Sequence, residues 1–598
     1  MTKYELPTQE KKWIQGNKGD VIGNLWSTFN MDFDSSKGRV RVARPTRVNT
    51  DNTDDADLGL PWAFARTSAS GTDQWWAGCG AVLFKTAGTS PTGAFTQDAL
   101  GSSPTGLGVS ISDMIKFEGA LIVSESTDLN RLSGGVWDAN WWITTLAQPV
   151  LTANIAHPLC VTKKTNVLLV GDGNKIHLID KNSNVNNSRL VFPSEFECVW
   201  IRSNFSGSWI GMRNKVNDKE AEAFFWDEQA ENYNQSYKLK SNMTFACEIK
   251  DGIPFTVNGA GQLLAYDGSG FTEKAVFPNF QQVSGILDDS SSPRMSVHRN
   301  GMAIIEEKLH INICSLIDND PVLSMENFPS GVWTYDSDEG LRHKHSISMY
   351  DGTENDYGSF ISTRAGALVP TGTRHLFLTG NIIPIINTTN LTCINYVDGT
   401  GASFNSVMNK RGHFVTSLFE SSNFEDIFQD LLLTFKRFGN SGDRIIVKYQ
   451  TIKNPSYPIK SPGTWTSTTT FTATTPDFGS LATIAIGDEV MIIRGKGSGA
   501  TAKISSVSEL AGTYTITLAE AIVNVGTGTM RFIVQDWTEC AIVSTQSIER
   551  QSFDLDVVGT FLQLKVEIRN VTAEATAAST TTPELEKLVV QSIKENDI

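Results

Sequence analysis

From about Asp73 to Gly380 the chain alternates short apolar runs with Gly-centred polar turns, and this unit recurs about seven times. Asn166 to Asp180 carries it most clearly: Val167-Leu168-Leu169-Val170, then Gly171-Asp172-Gly173-Asn174, then Ile176 to Ile179. Gly252 to Asp267 repeats it, with Phe255 to Val257, Asn258-Gly259-Ala260-Gly261, then Leu263 to Tyr266. Weaker copies begin near Gln74, Gly119, Gly207, Gly301 and Gly358. Starts lie roughly 40 to 58 residues apart, close to the length of a four-stranded blade. One blade leaves both faces open, so blades must stack into a ring. Gly134-Gly135-Val136-Trp137, Gly207-Ser208-Trp209 and Gly331-Val332-Trp333 fit this scheme, with Gly making turns and Trp filling wedges. The pattern therefore predicts an all-β chain with a β-propeller of about seven blades over residues 61–395.

Outside the repeats the pattern changes. Residues 1–60 read as an N-terminal arm anchored by Trp13, Trp26 and Phe29, with a short alternating strand at Arg39-Val40-Arg41-Val42 and a polar loop over Asn49 to Asp57. Its apolar periodicity is too weak for independent folding. The arm is expected to pack on its own domain or on a neighbouring subunit, and its removal to leave the propeller intact. Residues 396–462 and 536–598 read as one β-sandwich. Leu431 to Phe438 and Arg444 to Gln450 read as a hairpin across Asn440-Ser441-Gly442-Asp443, with a helix over Phe424 to Phe438 as the alternative. Leu562, Leu564, Val566 and Ile568 alternate with Gln563, Lys565 and Glu567, a strand with one buried face. Pro583 to Val590 reads as the closing strand, after a small-residue loop from Ala573 to Thr582. Residues 463–535 read as an inserted SH3-like barrel: a Thr-rich linker from Thr466 to Thr475, Ile486 to Ile493, a Gly-rich turn, and strands near Ala502 and Tyr514. Such a module enters at a surface loop and is expected to be removable.

Composition narrows the function. The formal net charge of -15 argues against a specific nucleic-acid partner, which needs clustered cations. Lys11-Lys12 and Arg39, Arg41, Arg44 and Arg47 form the noticeable basic runs and would suit an acidic neighbour. Seven widely spaced cysteines, none in a C-x-x-C pair, read as buried free thiols of a protein made in a reducing cytoplasm. The polar start, Met1 to Asp20, shows no signal-peptide core, and no apolar run reaches the ~18 residues that cross a bilayer.

Several constellations invite chemistry. Gly495-Lys496-Gly497-Ser498-Gly499 lacks the spacing of a phosphate loop and sits between β-branched runs, so it reads as a hairpin turn. His343 and His345 share a strand face and could hold a metal on an oligomer axis, but Arg342 and Lys344 beside them disfavour a cation; they read as exposed. His157, His177, His298, His310, His375 and His413 read the same way. Glu306-Glu307 are adjacent and would face opposite sides of a strand, so they could not serve one glycosidic bond. Ser126-Thr127-Asp128 before Ser133-Gly134-Gly135-Val136-Trp137 is a distant echo of an Asp-box with the wrong spacing. No nucleophile elbow, zinc-protease or dinucleotide motif occurs. The sequence therefore nominates no catalytic, cofactor-binding or metal residue and expects no enzyme.

Gly19 to Val42, with Gly23-Asn24-Leu25-Trp26-Ser27 and Asn30-Met31-Asp32, resembles structural proteins of tailed bacteriophages. The same holds for Gly487 to Gly499, Asp536-Trp537, and Phe561 to Ile568 followed by Pro583-Glu584-Leu585. The resemblance covers most of the chain as an order of parts. It implies a virion tail component at the tip, nozzle, hub or fibre attachment, made in the bacterial cytoplasm and assembled with other tail proteins and copies of itself. Rival expectations are a module binding host surface glycan and a propeller glycoside hydrolase.

Overall fold

The computed structural model describes residues 2–6, 25–29, 31–33, 38–43, 47–51, 61–80, 82–90, 95–98, 111–216, 219–277, 295–315, 331–345, 364–372, 377–384, 390–397, 411–416, 419–420, 426–451, 459–474, 484–495, 501–522, 528–535, 537–559, 561–569 and 582–594. These residues are essentially all-β, with one π-helical turn at Trp141–Thr145. The chain divides into two compact units: Val48–Leu316 with Thr363–Val397, and Met1–Arg47 with Ile317–Ser362 and Asp398–Ile598.

The first unit is propeller-like. Antiparallel sheets follow one another as up-and-down meanders, each opening on an inner strand: Pro61–Thr67, Asp113–Phe117, Leu159–Val161, Phe196–Asn204, Thr244–Lys250, Met295–Ile305 and Arg364–Pro370. Each inner strand packs against the next, and Arg364–Pro370 returns to Pro61–Thr67, so the inner strands close a ring. The last sheet takes its outer strand, Arg47–Asp51, from the N-terminal segment. Apolar runs become strands because both sheet faces meet a neighbour: Leu168, Leu169 and Val170 are all fully buried. Three of the third strands run directly into an aspartate: Lys175–Ile179, Glu222–Trp226 and Gln262–Tyr266. The Asp180 carboxylate accepts the Asn182 and Asn184 amides at 2.8 Å each, and Asp267 accepts those of Ser269 at 2.9 Å and Gly270 at 3.0 Å. Asp227 does the same for Gln229 and Ala230. A carboxylate in this position replaces the missing backbone acceptor of a tight turn.

In the second unit two sheets share one apolar core. One sheet runs Thr2–Leu6, Leu585–Lys594, Asp426–Phe435, Arg550–Gly559. The other runs Leu25–Phe29, Arg411–Thr416, Phe561–Arg569, Arg444–Gln450, Thr538–Val543. Residues 459–535 form a closed six-stranded barrel with its own core of Trp465, Phe471, Val490, Ile492, Ile516 and Phe532.

Three expectations are corrected here, and a choice between two is settled. Asp426–Phe435 is a strand rather than a helix, and it does not hairpin with Arg444–Gln450; the two lie in different sheets. Asp426–Phe435 is flanked on both edges, by Arg550–Gly559 and Leu585–Lys594, and sends Phe428, Leu431, Leu433 and Phe435 into the core from one face. Of the two placements expected for the arm, its own domain is the one it takes: Tyr4, Leu6, Leu25, Met31, Val40 and Val42 lie in the two-sheet core. Two of its arginines meet acids of the same chain, with Arg39 3.2 Å from Glu584 and 2.6 Å from Glu586, and Arg41 3.1 Å from Asp32. The barrel begins earlier than position 463, because Ile459–Trp465 pairs with Gly528–Gln535 along its whole length. Finally, the polar side of Phe561–Arg569 is covered too: Lys565 is 0% and Glu567 2% exposed. The loop over residues 573–581, the 496–499 part of the Gly-rich turn, Lys11, Lys12 and His375 lie outside the described residues.

Candidate functional site

Two buried charge clusters stand out, one on the inner strands of the propeller-like unit and one beneath the barrel.

The first is assembled from strands distant in sequence. Arg202, on Phe196–Asn204, donates from Nη2 to the Arg299 carbonyl at 2.9 Å and to Asn300 Oδ1 at 3.2 Å. Its Nε lies 3.7 Å from Glu248 on Thr244–Lys250. Asn300 in turn donates to Asp113 Oδ1 at 2.8 Å. Asp113 also accepts the Met114 amide at 2.8 Å and, at its other oxygen, the Leu159 amide at 2.9 Å. Burial pushes the Asp113 carboxyl up, against the Leu159 amide, the Arg299 and Arg202 charges and the Asn300 bond. Burial likewise raises Glu248 against Arg202, and lowers Arg299. Both Asp113 oxygens are occupied by internal donors, so this carboxyl acts as a tie between inner strands. A glycosidase pair would instead need two carboxyls presented to one bond.

Nearby, His157 and His177 converge on Asp172, with His157 Nδ1 at 3.6 Å and His177 Nε2 at 3.4 Å. His157 Nδ1 also meets the Gly171 carbonyl at 2.9 Å, and its Nε2 meets the Ser126 carbonyl at 3.1 Å. Burial alone would raise the Asp172 carboxyl, but His177, the Thr152 amide and hydroxyl and His157 outweigh it and hold it down to about 2.

The second cluster holds the barrel. Lys448 and Lys565 stand directly opposite each other on paired strands, a repulsive placement on its own. Glu489, on the barrel strand Glu489–Gly495, enters between them: one carboxylate oxygen lies 3.1 Å from Lys565 and the other pairs with Lys448. Lys448 also lies 3.5 Å from Glu567, which pairs with Arg569 at 2.6 Å. Arg569 reaches Glu520 of the barrel at 2.9 Å, and Lys503 of the barrel reaches Glu539 at 3.0 Å. Glu489 is 1% and Lys448 2% exposed. Burial, with Lys565 and Arg569 adding to it, lowers the Lys448 ammonium to about 8 although Glu567 opposes the shift. The arrangement fixes the barrel through directional, water-excluded ion pairs.

Of the residues weighed from sequence as candidates for chemistry, His157 and His177 flank Asp172 beside the first cluster, and the others belong to neither cluster. His343 and His345 are buried, not exposed: the His343 amide donates to Thr28 Oγ1 at 3.1 Å, and its ring stands 5.5 Å from that of Trp333. His157, His177, His298, His310 and His413 are buried as well. Glu306 and Glu307 form a tight turn, with φ of 51° and 66°, rather than opposite faces of a strand. Asp128 accepts the Leu129 amide at 2.7 Å and the Ile143 amide at 3.4 Å, so it caps the turn at Trp141. Cys79, Cys160, Cys198 and Cys247 are buried free thiols and Cys540 is half-buried. Among the described residues no cluster of metal-ligating side chains occurs, and no helix is long and apolar enough to cross a membrane.

No protein-family description and no curated protein matches this chain. Among solved structures, a chain of the mitotic checkpoint complex is 14% identical with TM-score 0.34, covering 60% of this chain and 96% of its own. The computationally designed protein Ika8 is 9% identical with TM-score 0.32, covering 58% and 99%. The extracellular domain of BT4673 from B. thetaiotaomicron is 9% identical with TM-score 0.37, covering 92% of this chain and 65% of that one. Likenesses this distant carry no functional argument.

Proposed function

We propose that this chain is a structural component of a bacteriophage tail, a platform at the tip, nozzle, hub or fibre attachment that serves assembly and host attachment. In this reading the first unit is a closed seven-bladed propeller, supported by the cyclic packing of its inner strands. The two sheets with a common core form a sandwich, and the barrel is a module projected from it. One observation carries the proposal: Glu489 of the barrel is locked between Lys448 and Lys565 of the sheet below. A load-transmitting part needs modules that keep their orientation, and a desolvated charge lock does so where a flexible tether would not. The sequence resemblance to tail structural proteins supplies the setting, with partners among other tail proteins and copies of the same chain. Mass spectrometry of purified virions, with antibody labelling by electron microscopy, tests it. The expected outcome is this chain at a fixed stoichiometry on the tail; its absence from virions while present in infected cells overturns the proposal.

A further inference from the structure

Phe205 is 81% exposed at the tip of the turn between Phe196–Asn204 and Gly207–Asn214. A phenyl ring so placed forfeits its burial and contributes nothing to the core. It is not isolated. Asn204 Nδ2 donates to the Gly252 carbonyl at 3.1 Å, joining this turn to the next sheet's turn, where Ile253 is 41% exposed. Gly207 is bare because a Cβ there would run into the Trp226 carbonyl oxygen; the Phe225 ring lies on the same side, 3.1 Å from that position. Phe225 packs on Trp209 at 5.0 Å, and Trp209 meets Tyr266 at 4.9 Å. Tyr237 and Tyr266 cross at 5.1 Å and an interplanar angle of 61°, their hydroxyls 3.0 Å apart. A tilted aromatic seam thus runs between two adjacent sheets of the first unit, its Phe225 ring lying beside Gly207, two residues from Phe205.

We propose that this seam binds a neutral polysaccharide, with Phe205 as the platform for a pyranose ring. An apolar pyranose face matches an exposed aromatic face, while ring hydroxyls need neutral partners: the Tyr237 hydroxyl donates to Gln235 and the Tyr266 hydroxyl to the Gly268 carbonyl, which leaves the phenol oxygens to accept and the Gln235 amide nitrogen to donate. Burial and the neighbouring Tyr266 push the Tyr237 hydroxyl up to about 12, so it stays a neutral phenol. A second copy of the chain is a poorer occupant. Stable protein interfaces bury about 800 Å² per partner from some 20–30 residues, far more than Phe205, Phe225, Tyr237, Ile253 and Tyr266 provide.

The inference deepens the host-attachment half of the proposed role and rests on it. Its test is separate, because binding is read on the purified full-length chain and incorporation on virions. Isothermal titration with cellohexaose, maltohexaose, mannohexaose and chitohexaose is expected to give a Kd below about 1 mM for at least one of them. Phe205→Ser and Tyr266→Phe are each expected to weaken that binding about tenfold or more, or ~1.4 kcal/mol. Phe205→Ser should leave the melting profile unchanged, since its ring is outside the core. The proposal is overturned if none of the four sugars binds at ~10 mM, or if binding survives both substitutions. It is equally overturned if Phe205→Ser leaves sugar binding intact and instead dissociates an oligomer.

Discussion

Glu125 and Asp128 are 6% and 2% exposed, and burial with the adjacent Asp128 charge drives the Glu125 carboxyl up to about 8, against the Asn130 amide that bonds it. The native state therefore holds a proton that the unfolded chain releases above its ordinary carboxylate range. A raised acid of this kind contributes full stability at low pH, and that contribution falls as pH rises from about 4.5 towards 8. Glu125→Gln keeps the Asn130 contact without an ionisable group. It is expected to change stability by less than ~1 kcal/mol at pH 5 and to stabilise by roughly 4 kcal/mol at pH 8. Denaturant midpoints at the two pH values check this, and equal effects at both would exclude a protonated native Glu125. The same scale explains what the sequence hid. Histidines 157 and 177 looked isolated because they meet Asp172 only across a folded meander. The strand-ending aspartates at 180, 227 and 267 were present in the sequence as a repeat marker, an Asp directly after each third apolar run, and were the signal most worth reading.

At the scale of elements, the barrel and the N-terminal strands behave differently from what their composition suggests. Lys565 and Glu567 alternate with leucine and valine, which ordinarily marks a solvent-facing side; their burial under the barrel has no local signature in Phe561–Arg569. Removing the central counter-charge is accordingly costly. Glu489→Ala leaves two facing lysines without it, and a loss of about 3–5 kcal/mol is expected in the unit that holds the barrel. Hydrogen exchange of the strands Arg444–Gln450 and Glu489–Gly495 should rise together; unchanged protection in both would mean the lock is ornamental. The pair also has an alkaline side. Because the native Lys448 ammonium sits at about 8, below its ordinary value, the unfolded chain binds more protons between about 8 and 10.5 and stability rises with pH across that window from this group alone. The arm was legible as strands at Arg39 to Val42 but not as structural infill, because its anchors are paired with residues near the opposite end of the chain, such as Leu6 with Leu588. Removal of residues 1–57 takes away Thr2–Leu6, Leu25–Phe29 and the outer strand Arg47–Asp51. Circular dichroism and melting should therefore report damage to both units; an unaffected first unit would show that its last sheet does not need Arg47–Asp51.

At the scale of the whole molecule, the all-β propeller-like architecture followed from periodicity alone, since Gly-centred turns between apolar runs repeat at blade length. The path of the chain did not. It leaves the second unit after Arg47, returns at Ile317, departs after Ser362 and comes back at Asp398. No local pattern encodes such threading; it is set by which strand edges remain open for later segments. This route has a consequence for synthesis. Thr2–Leu6 lies alongside Leu585–Lys594, a strand translated about 580 residues later. At ~5–20 residues per second, the amino terminus waits roughly half a minute to two minutes for its neighbour. Throughout that interval Thr2–Leu6 lacks its strand partner, and nascent chains crowded on one messenger offer each other matching edges. Birth, more than working life, is when this protein most depends on being kept apart from its own copies.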